Sequence, residues 1–209
     1  MKRNILLEPK WKERTHNTHM KHLSTYSHGK YKVAFLGDSM MERWLTTGSQ
    51  YWEKFSNHAN LGVGGDGVEH LLYRLTENET CSGILDVMEV DKIILMIGTN
   101  NIDKKPIDDI FAAVVNIINI IFKKQPNVQL IIYGLTDRTD VSNEKISALN
   151  TKLETYIKNQ NNNKLMYRYF GNKVNHDNKF FDDNVHLSRL GYKEWFDDLL
   201  HLALYEKIF

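Results

Sequence analysis

Residues 31–44 read YKVAFLGDSMMERW, an apolar run that ends abruptly at Gly37-Asp38-Ser39. A short apolar run bounded by glycine is typical of a strand that is buried on both faces. A helix-like segment carrying Trp44 follows it. The stretch therefore predicts a strand–turn–helix unit with a carboxylate and a hydroxyl just beyond the strand. These polar residues are compatible with a simple turn, or with a reactive serine at the mouth of a site.

The alternation of strand and helix continues along the chain. Short apolar runs predict strands at residues 32–36, 59–63, 92–97, 129–133 and 165–169. Helices are predicted between and after them, at residues 49–56, 67–76, 107–124, 143–159 and 189–207. Such alternation predicts an open, doubly wound α/β sheet, and 209 residues suit one domain of this class.

Glycines and polar side chains accompany the ends of three predicted strands. Gly37-Asp38-Ser39 follows the first strand, the glycines of LGVGGDG (residues 61–67) accompany the second, and GTNN (residues 98–101) follows the third. In doubly wound sheets, sites lie outside the carboxyl ends of the strands. The three segments are therefore predicted to converge on one edge of the sheet, which favours the functional interpretation of Ser39 over the turn.

The second segment contains a literal G-x-G-x-x-G at Gly62, Gly64 and Gly67, with acidic Asp86 further along. This pattern alone is compatible with dinucleotide binding. The dinucleotide pattern belongs on the first strand–helix turn of its unit, however, and here that turn carries Ser39 instead. The competing interpretation is that the glycines let a backbone N–H approach a reacting oxygen.

The third segment, IGTNN at residues 97–101, places two amides directly after a strand. Asparagine is common in turns and at helix caps, so a purely structural role is one interpretation. The other is that one amide donates a hydrogen bond to developing negative charge, as the side chains of oxyanion holes do. Taken alone, this segment leaves both interpretations open.

A fourth segment, DDNVHLSRLGY at residues 182–192, carries Asp183 and His186 three residues apart. Such a pair can bring a carboxylate to the imidazole Nδ1, which leaves Nε2 free to accept a proton. The structural alternative is a helix-capping Asp183 and a packed core histidine. Because the segment follows the last predicted strand, it can meet Ser39 across the sheet edge, and that placement favours the catalytic interpretation.

Composition and missing motifs argue against several classes of function. The formal net charge is +1, which gives no sign of a surface for nucleic acid. The chain lacks the phosphate-loop pattern GxxxxGK[ST] and the zinc pattern HExxH, and Ser39 lacks a GxSxG elbow. His16, His19 and His22 have no neighbouring cysteine or carboxylate at a ligand spacing, so they are predicted to form a polar helix face rather than a metal site.

The chain carries no predicted membrane segment. Its most apolar stretch, residues 110–122, is interrupted by asparagines and is shorter than the ~20 residues that a span needs, so a buried helix is predicted. The apolar run at residues 5–7 is too short for a signal peptide, and the single Cys81 permits no intrachain disulfide. We therefore expect a cytoplasmic location.

Together, the four segments resemble the conserved blocks of the SGNH (GDSL-type) hydrolase family in their order along the chain. The sequences of the segments resemble most the catalytic alpha subunits of intracellular platelet-activating-factor acetylhydrolase. Residues 11–16 (WKERTH) share this similarity. The resemblance implies a flavodoxin-like three-layer α/β/α sandwich with a five-stranded parallel sheet. Residues 31–209 would form this domain, with residues 1–30 as an extension packed on it.

The resemblance also implies site residues. Ser39 would be the nucleophile, His186 the general base and Asp183 its orienting partner. The oxyanion hole would consist of the N–H groups of Ser39 and Gly65 and the side-chain amide of Asn100. Gly65 is selected over Gly64 because the family's donor is the glycine immediately before the aspartate, here Asp66.

Further expectations concern substrate and partners. Met40 and Val185 are candidate walls of a pocket that admits a short acyl group, and an acetylated phospholipid is the leading substrate. The resemblance implies no metal, no cofactor and a homodimer or related dimer. A carbohydrate O-acetylesterase or generalist esterase remains the alternative enzyme, and a catalytically idle dimeric binding module is the alternative outside catalysis.

Overall fold

The computed structural model describes residues 4–175 and 177–206, which fold around one parallel sheet. The sheet contains five strands in the order β2-β1-β3-β4-β5. This composition and order confirm the predicted α/β fold with a flavodoxin-like five-stranded parallel sheet. The strands are β1 (Lys30–Gly37), β2 (His58–Gly62), β3 (Glu89–Met96), β4 (Gln129–Tyr133) and β5 (Leu165–Arg168).

Helices cover both faces of the sheet. Within the described residues they are α1 (Glu13–Tyr26), α2 (Ser39–Glu42), α3 (Ser49–Trp52), α4 (Val68–Leu75), α5 (Ile107–Lys124), α6 (Asn143–Lys158), α7 (Gly171–Val174) and α8 (Arg189–Glu206). Short 3-10 turns lie at Ile5–Leu7, Arg43–Leu45, Ile84–Asp86 and Asn178–Phe180. Helices α4, α5 and α6 contact one another in sequence and α1 packs on α4, whereas α8 contacts α3 and α7.

Strand β1 is buried from Val33 to Gly37 because helices pack on each of its faces. Phe35 projects into an aromatic cluster, with its ring centroid 5.5 Å from that of Trp44. Trp44 lies 5.4 Å from Trp195 of α8 by the same measure. The 3-10 turn that follows α2 is therefore held against the sheet by aromatic packing with the last helix in the described residues.

The apolar stretch at residues 110–122 forms the middle of α5, which confirms the predicted buried helix. Its buried residues recur at helical spacing: Ile110, Ala113, Val114, Ile117, Ile118 and Ile121. Acidic residues occupy the first turn and lysines the last, an arrangement that suits the helix dipole. None of the helices in the described ranges has both the length and the apolar character needed to cross a membrane.

One helix prediction differs from the structure. The helix predicted at residues 49–56 is the single turn α3, which ends at Trp52, because the following residues turn back toward β2. The last helix was predicted to reach residue 207, which lies outside the described residues. The other predicted helices agree with the structure to within a residue at each described end.

The interpretation of His16, His19 and His22 as a polar helix face is wrong. His19 is fully buried, and its Nε2–H donates to the Ser82 carbonyl at 2.9 Å. Burial lowers the pKa of His19 to about 4 and that of His22 to about 3. The histidines instead belong to the packed interface between α1 and the sheet-covering helices, where His16 Nδ1 lies 2.9 Å from the Tyr73 hydroxyl.

A buried ion pair joins the carboxyl ends of β1 and β2 to α4. Arg74 and Asp66 are both fully buried, and Arg74 Nε donates to Asp66 Oδ2 at 2.9 Å. The two remaining guanidinium nitrogens donate to the carbonyls of Leu61 and Gly37 at 2.8 and 2.9 Å. Arg74 thereby satisfies two carbonyls at the strand ends that lead into the predicted site.

We expect Arg74→Met to lower the free energy of unfolding by about 3–5 kcal/mol, because it leaves Asp66 as an unpaired buried charge. Arg14→Met removes an exposed ion pair with Glu42 and should cost no more than about 1 kcal/mol. Urea denaturation of the two variants and the wild type measures both values. Equal losses of unfolding free energy in the two variants would contradict the role of Arg74 as the partner of a buried charge.

Candidate active site

Ser39 begins α2 immediately beyond the carboxyl end of β1. The preceding Asp38 caps this helix, since its Oδ1 accepts a hydrogen bond from Met40 N–H at 2.9 Å. Helix α2 approaches β2 so closely that a Cβ on Gly62 would lie 2.1 Å from the Glu42 nitrogen. A glycine at position 62 is thus required for the serine-bearing helix to sit where it does.

The structure brings Ser39, His186 and Asp183 into one series of hydrogen bonds. His186 Nε2 lies 2.9 Å from Ser39 Oγ, and His186 Nδ1 lies 2.7 Å from Asp183 Oδ2. The other carboxylate oxygen of Asp183 accepts the backbone N–H groups of Val185 and His186, each at 2.8 Å. The loop from 183 to 186 is thereby folded around the carboxylate, which holds the imidazole in place.

The environment of Asp183 keeps its carboxyl group ionised. Burial alone raises its pKa, but the hydrogen bonds from His186 and Val185 outweigh burial and lower the pKa to about 2. Because an ionised carboxylate only accepts hydrogen bonds, His186 Nδ1 carries a proton and Nε2 is free to accept one from the serine hydroxyl. Arg43 lies 3.9 Å from the same carboxylate and adds positive charge nearby.

The segment between β2 and α4 turns back toward the site at Gly65. Its backbone has φ +78°, a conformation that L side chains rarely adopt, which explains the glycine independently of any ligand. The Asn100 amide donates to the Asp66 carbonyl at 2.9 Å. A primary amide has two protons, so Asn100 retains a second donor after this bond.

The two amides of IGTNN have different surroundings. Asn101 is buried and structural: its Oδ1 accepts the Val68 N–H at the start of α4, and its Nδ2 donates to Glu69, at 3.0 and 2.9 Å. Asn100 is only half buried and follows the end of β3. Of the two interpretations left open by the sequence, the capping role therefore belongs to Asn101.

Asp38 is fully buried beside Ser39 but is not the carboxylate that contacts His186. Its Oδ2 has no hydrogen-bond partner among the described residues. Burial raises the pKa of Asp38 to about 7, against the hydrogen bond from Met40 N–H. The group next to the serine is therefore a buried carboxyl that titrates far above its usual range.

The two candidate walls of the acyl pocket differ in exposure. The Met40 side chain is 1% exposed and belongs to the core, so it does not border open space in this conformation. Val185 is half buried in the loop between Asp183 and His186. Their contact with an acyl group is a prediction that the geometry leaves untested.

A cleft of about 750 Å³ runs beside the Asp183 loop. The sequence did not predict this cleft. Arg138 lies on the wall of the cleft and donates to the Thr99 carbonyl at 2.6 Å. It also forms a bidentate salt bridge with Asp140. The only signal in the sequence is the group of charged residues after β4, Asp137, Arg138 and Asp140. Carboxylates and amides dominate the lining, which includes Asp137, Asn143, Glu144, Asp177, Asp182 and Asn184.

The described residues contain no group of three or more His, Cys, Asp or Glu side chains arranged to hold a metal ion. The chemistry available at this edge of the sheet is that of a serine hydroxyl, an imidazole and a carboxylate. Such a series suits nucleophilic attack with proton transfer to the imidazole.

Comparisons with known proteins find one matching family and several relatives. The model of the GDSL-like Lipase/Acylhydrolase family matches residues 35–194. Platelet-activating factor acetylhydrolase IB subunit alpha1 from Homo sapiens is 27% identical over 172 residues, which cover 77% of this chain and 70% of that protein. Subunit alpha2 from Homo sapiens is 32% identical over 129 residues, or 60% of this chain, and the match spans 52% of the length of alpha2.

Solved structures share the fold at lower sequence identity. A candidate platelet activating factor protein from Streptococcus pneumonia superposes with a TM-score of 0.72 at 20% identity, covering 90% of this chain and 92% of the other. A carbohydrate esterase family 3 protein from Talaromyces cellulolyticus gives 0.59 at 18% identity, covering 83% and 97%. At these identities the likeness shows the common fold.

The raised pKa of Asp38 predicts a pH-dependent stability. Because the folded chain holds this proton more tightly than an unfolded chain, whose aspartates titrate near ~3.9, the free energy of unfolding falls as pH rises from about 4 to 7. Asp38→Asn removes this loss. We expect the stability of the variant relative to wild type to increase by on the order of 3 kcal/mol between about pH 4.5 and 7.5.

Urea denaturation at the two pH values measures the difference. Asp91→Asn makes the same substitution at an exposed position and serves as the control. If the free energy of unfolding of each variant differs from that of the wild type by the same amount at both pH values, Asp38 does not titrate as described.

Proposed function

The chain belongs to the GDSL-like lipase/acylhydrolase family and is a carboxylic ester hydrolase, and from that premise we propose that it hydrolyses short-chain, chiefly acetyl, esters through an acyl-enzyme on Ser39. The observation that carries the proposal is the series of hydrogen bonds from Ser39 Oγ through His186 to Asp183, with lengths of 2.9 and 2.7 Å. Each member has the partner that its proposed role requires.

The first proposed step is acylation. A serine hydroxyl is a weak nucleophile at its own pKa, so His186 Nε2 takes its proton while Oγ attacks the ester carbonyl carbon. Asp183 stabilises the imidazolium that forms and keeps the ring oriented. When the tetrahedral intermediate collapses, the C–O bond to the leaving alcohol breaks and His186 returns the proton to that alcohol. The acyl group remains on Ser39.

Negative charge develops on the carbonyl oxygen during each step. The proposed donors are the N–H groups of Ser39 and Gly65 and the second amide proton of Asn100. Ser39 stands at the N-terminal end of α2, and Asn100 reaches the same loop as Gly65 through its bond to the Asp66 carbonyl. Losing one such donor typically costs ~3 kcal/mol of transition-state stabilisation, or about 100-fold in kcat.

The second proposed step is deacylation. Water takes the place of the alcohol, and His186 accepts a proton from it as the oxygen attacks the acyl carbon. The bond from the acyl group to Ser39 Oγ breaks, and the proton passes to Oγ. The products are a carboxylic acid and the free enzyme, so the reaction balances without any cofactor.

An acetylated phospholipid is the proposed leading substrate, because the relatives bear the name platelet-activating factor acetylhydrolase. Met40 and Val185 are the proposed walls of the acyl pocket, since they adjoin the nucleophile and the base in the chain. Met40 is packed in the core, so it would resist displacement by a longer acyl chain.

We extend the proposal to location and assembly. We propose a cytoplasmic protein that pairs with a second copy of itself or with a related chain. The pairing is supported by the names of the relatives, which describe them as subunits. Exposed apolar side chains that would suit such contact include Trp11, Leu45 and Leu190.

Ser39→Ala should abolish both ester hydrolysis and covalent labelling by a fluorophosphonate, because Oγ is the attacking atom. Intact-mass and peptide mass spectrometry locate the adduct in the wild type, where we expect one label on Ser39. Ser147→Ala changes an exposed serine of α6 and should label normally. A labelled Ser39→Ala would remove Ser39 as nucleophile, and an unlabelled wild type would favour an idle binding module.

The acyl pocket should favour acetate over longer chains. We expect kcat/KM of the wild type to fall along p-nitrophenyl acetate, butyrate and octanoate, and Val185→Ala to raise the butyrate-to-acetate ratio roughly 10-fold. Val87→Ala, at a half-buried position just before β3, should leave the ratio unchanged.

An acetylated ether phospholipid and an acetylated xylose, compared directly, distinguish a lipid from a carbohydrate esterase. We expect the higher kcat/KM on the lipid. A preference for the sugar acetate would replace the proposed substrate, and an unchanged ratio in Val185→Ala would remove Val185 from the pocket.

A further inference from the structure

We propose that Thr15 and Lys12, which lie at the start of α1, are positioning residues for the oxyanion hole. Both precede residues 35–194, the part of the chain that the family model matches. The inference rests on the proposed function, because it takes Gly65 and Asn100 as donors to the oxyanion. It adds to that function the requirement that the N-terminal helix be in place for full catalytic rate.

Asp66 is the residue through which Thr15 acts. Its backbone carbonyl accepts the Asn100 amide at 2.9 Å, and it is covalently joined to Gly65. Its N–H donates to the Val63 carbonyl at 3.2 Å, which closes the turn around Gly65. The position of Asp66 therefore determines where the Gly65 N–H and the Asn100 amide lie relative to each other.

The Asp66 side chain is fully buried and is held from two sides. Arg74 Nε donates to Oδ2 at 2.9 Å, and the Thr15 hydroxyl donates to Oδ1 at 2.5 Å. A buried carboxylate oxygen without a donor is strongly unfavourable. If the Thr15 hydroxyl were absent, Asp66 would have to rotate toward another donor, and the peptide that carries the Gly65–Asp66 link would move with it.

Lys12 constrains the same peptide from outside. Its Nζ donates to the Gly65 carbonyl at 2.9 Å and lies 3.1 Å from the point that a Cβ on this glycine would occupy. Gly65 has no side chain that could restrain the orientation of this peptide, so contacts to its backbone, such as the one from Lys12, do so instead. Lys12 is the N-cap residue of α1 and Thr15 lies in its first turn, so both reach the loop from the N-terminal end of the helix.

Helix α1 does not depend on Thr15 for its own attachment. His16 contacts the Tyr73 hydroxyl, His19 donates to the Ser82 carbonyl, and the Lys10 N–H donates to the Glu69 carbonyl, each at 2.9 Å. A variant that removes only the Thr15 hydroxyl should therefore fold with α1 docked. This separates a positioning role from a general contribution to stability.

The test compares Thr15→Val with Thr15→Ser in the full chain, using p-nitrophenyl acetate. Valine keeps the shape of threonine and removes the donor, whereas serine keeps the donor. We expect Thr15→Val to lower kcat by roughly 10-fold with KM within about two-fold of wild type, because displaced donors act only in the transition state. Thr15→Ser should recover kcat to within about three-fold, and Lys12→Met should lower it by about three-fold.

A double-mutant cycle with Asn100→Ala supplies a readout that lost stability would not change. If Thr15 acts through the oxyanion hole, the roughly 10-fold effect of Thr15→Val should shrink to about two-fold when Asn100 is already alanine. His19→Leu is the matched control on the same helix. It loses the bond to Ser82 and should lower the Tm without changing kcat.

The outcomes separate the two proposals. A wild type that neither hydrolyses the ester nor takes up a fluorophosphonate overturns the proposed function and this inference with it. If the wild type is active, two results overturn this inference alone. One is a folded Thr15→Val with the kcat of the wild type. The other is a Thr15→Val, Asn100→Ala double variant whose loss of kcat is the product of the two single losses. If Thr15→Val does not fold, the inference is overturned when Lys12→Met has the same kcat as the wild type.

Discussion

The buried ion pair between Arg74 and Asp66 is the constraint on which the arrangement of the site depends. A buried arginine needs acceptors for its guanidinium nitrogens, and here those acceptors are Asp66 and the carbonyls of Leu61 and Gly37. Two strand ends, the glycine-rich loop and α4 are thereby joined at one point. Because one guanidinium group donates to all three acceptors, the segments that lead into the site are held together.

Sheet topology explains why chemistry collects beside this ion pair. Strand β1 lies between β2 and β3, and the chain leaves β1 toward one neighbour and later returns on its other side. Such a switch point opens a crevice at the carboxyl ends of the strands. Ser39 follows β1 and Asn100 follows β3, so strand order places both residues at the same edge of the sheet. His186 reaches the crevice from 147 positions further along the chain.

The predictions from sequence succeeded where a property is local. Alternation of short apolar runs with helical spacing placed each strand to within three residues and the long helices to within a residue at each described end. The predictions were less accurate where burial depends on distant segments. His19 reads as polar in isolation, but it is buried because α1 packs on α4 and the turn near Ser82. Likewise α3 ends after one turn because the chain must return to β2.

The sequence by itself determined the order of the segments and the types of residue that carry chemistry: a serine after the first strand, a glycine loop, an amide, and an Asp–His pair near the end. These are properties of short stretches and of strand and helix periods. The tertiary structure alone decided which amide caps α4 and that Thr15 contacts Asp66. Those choices depend on burial and hydrogen bonding between residues far apart in the chain, and no local pattern encodes them.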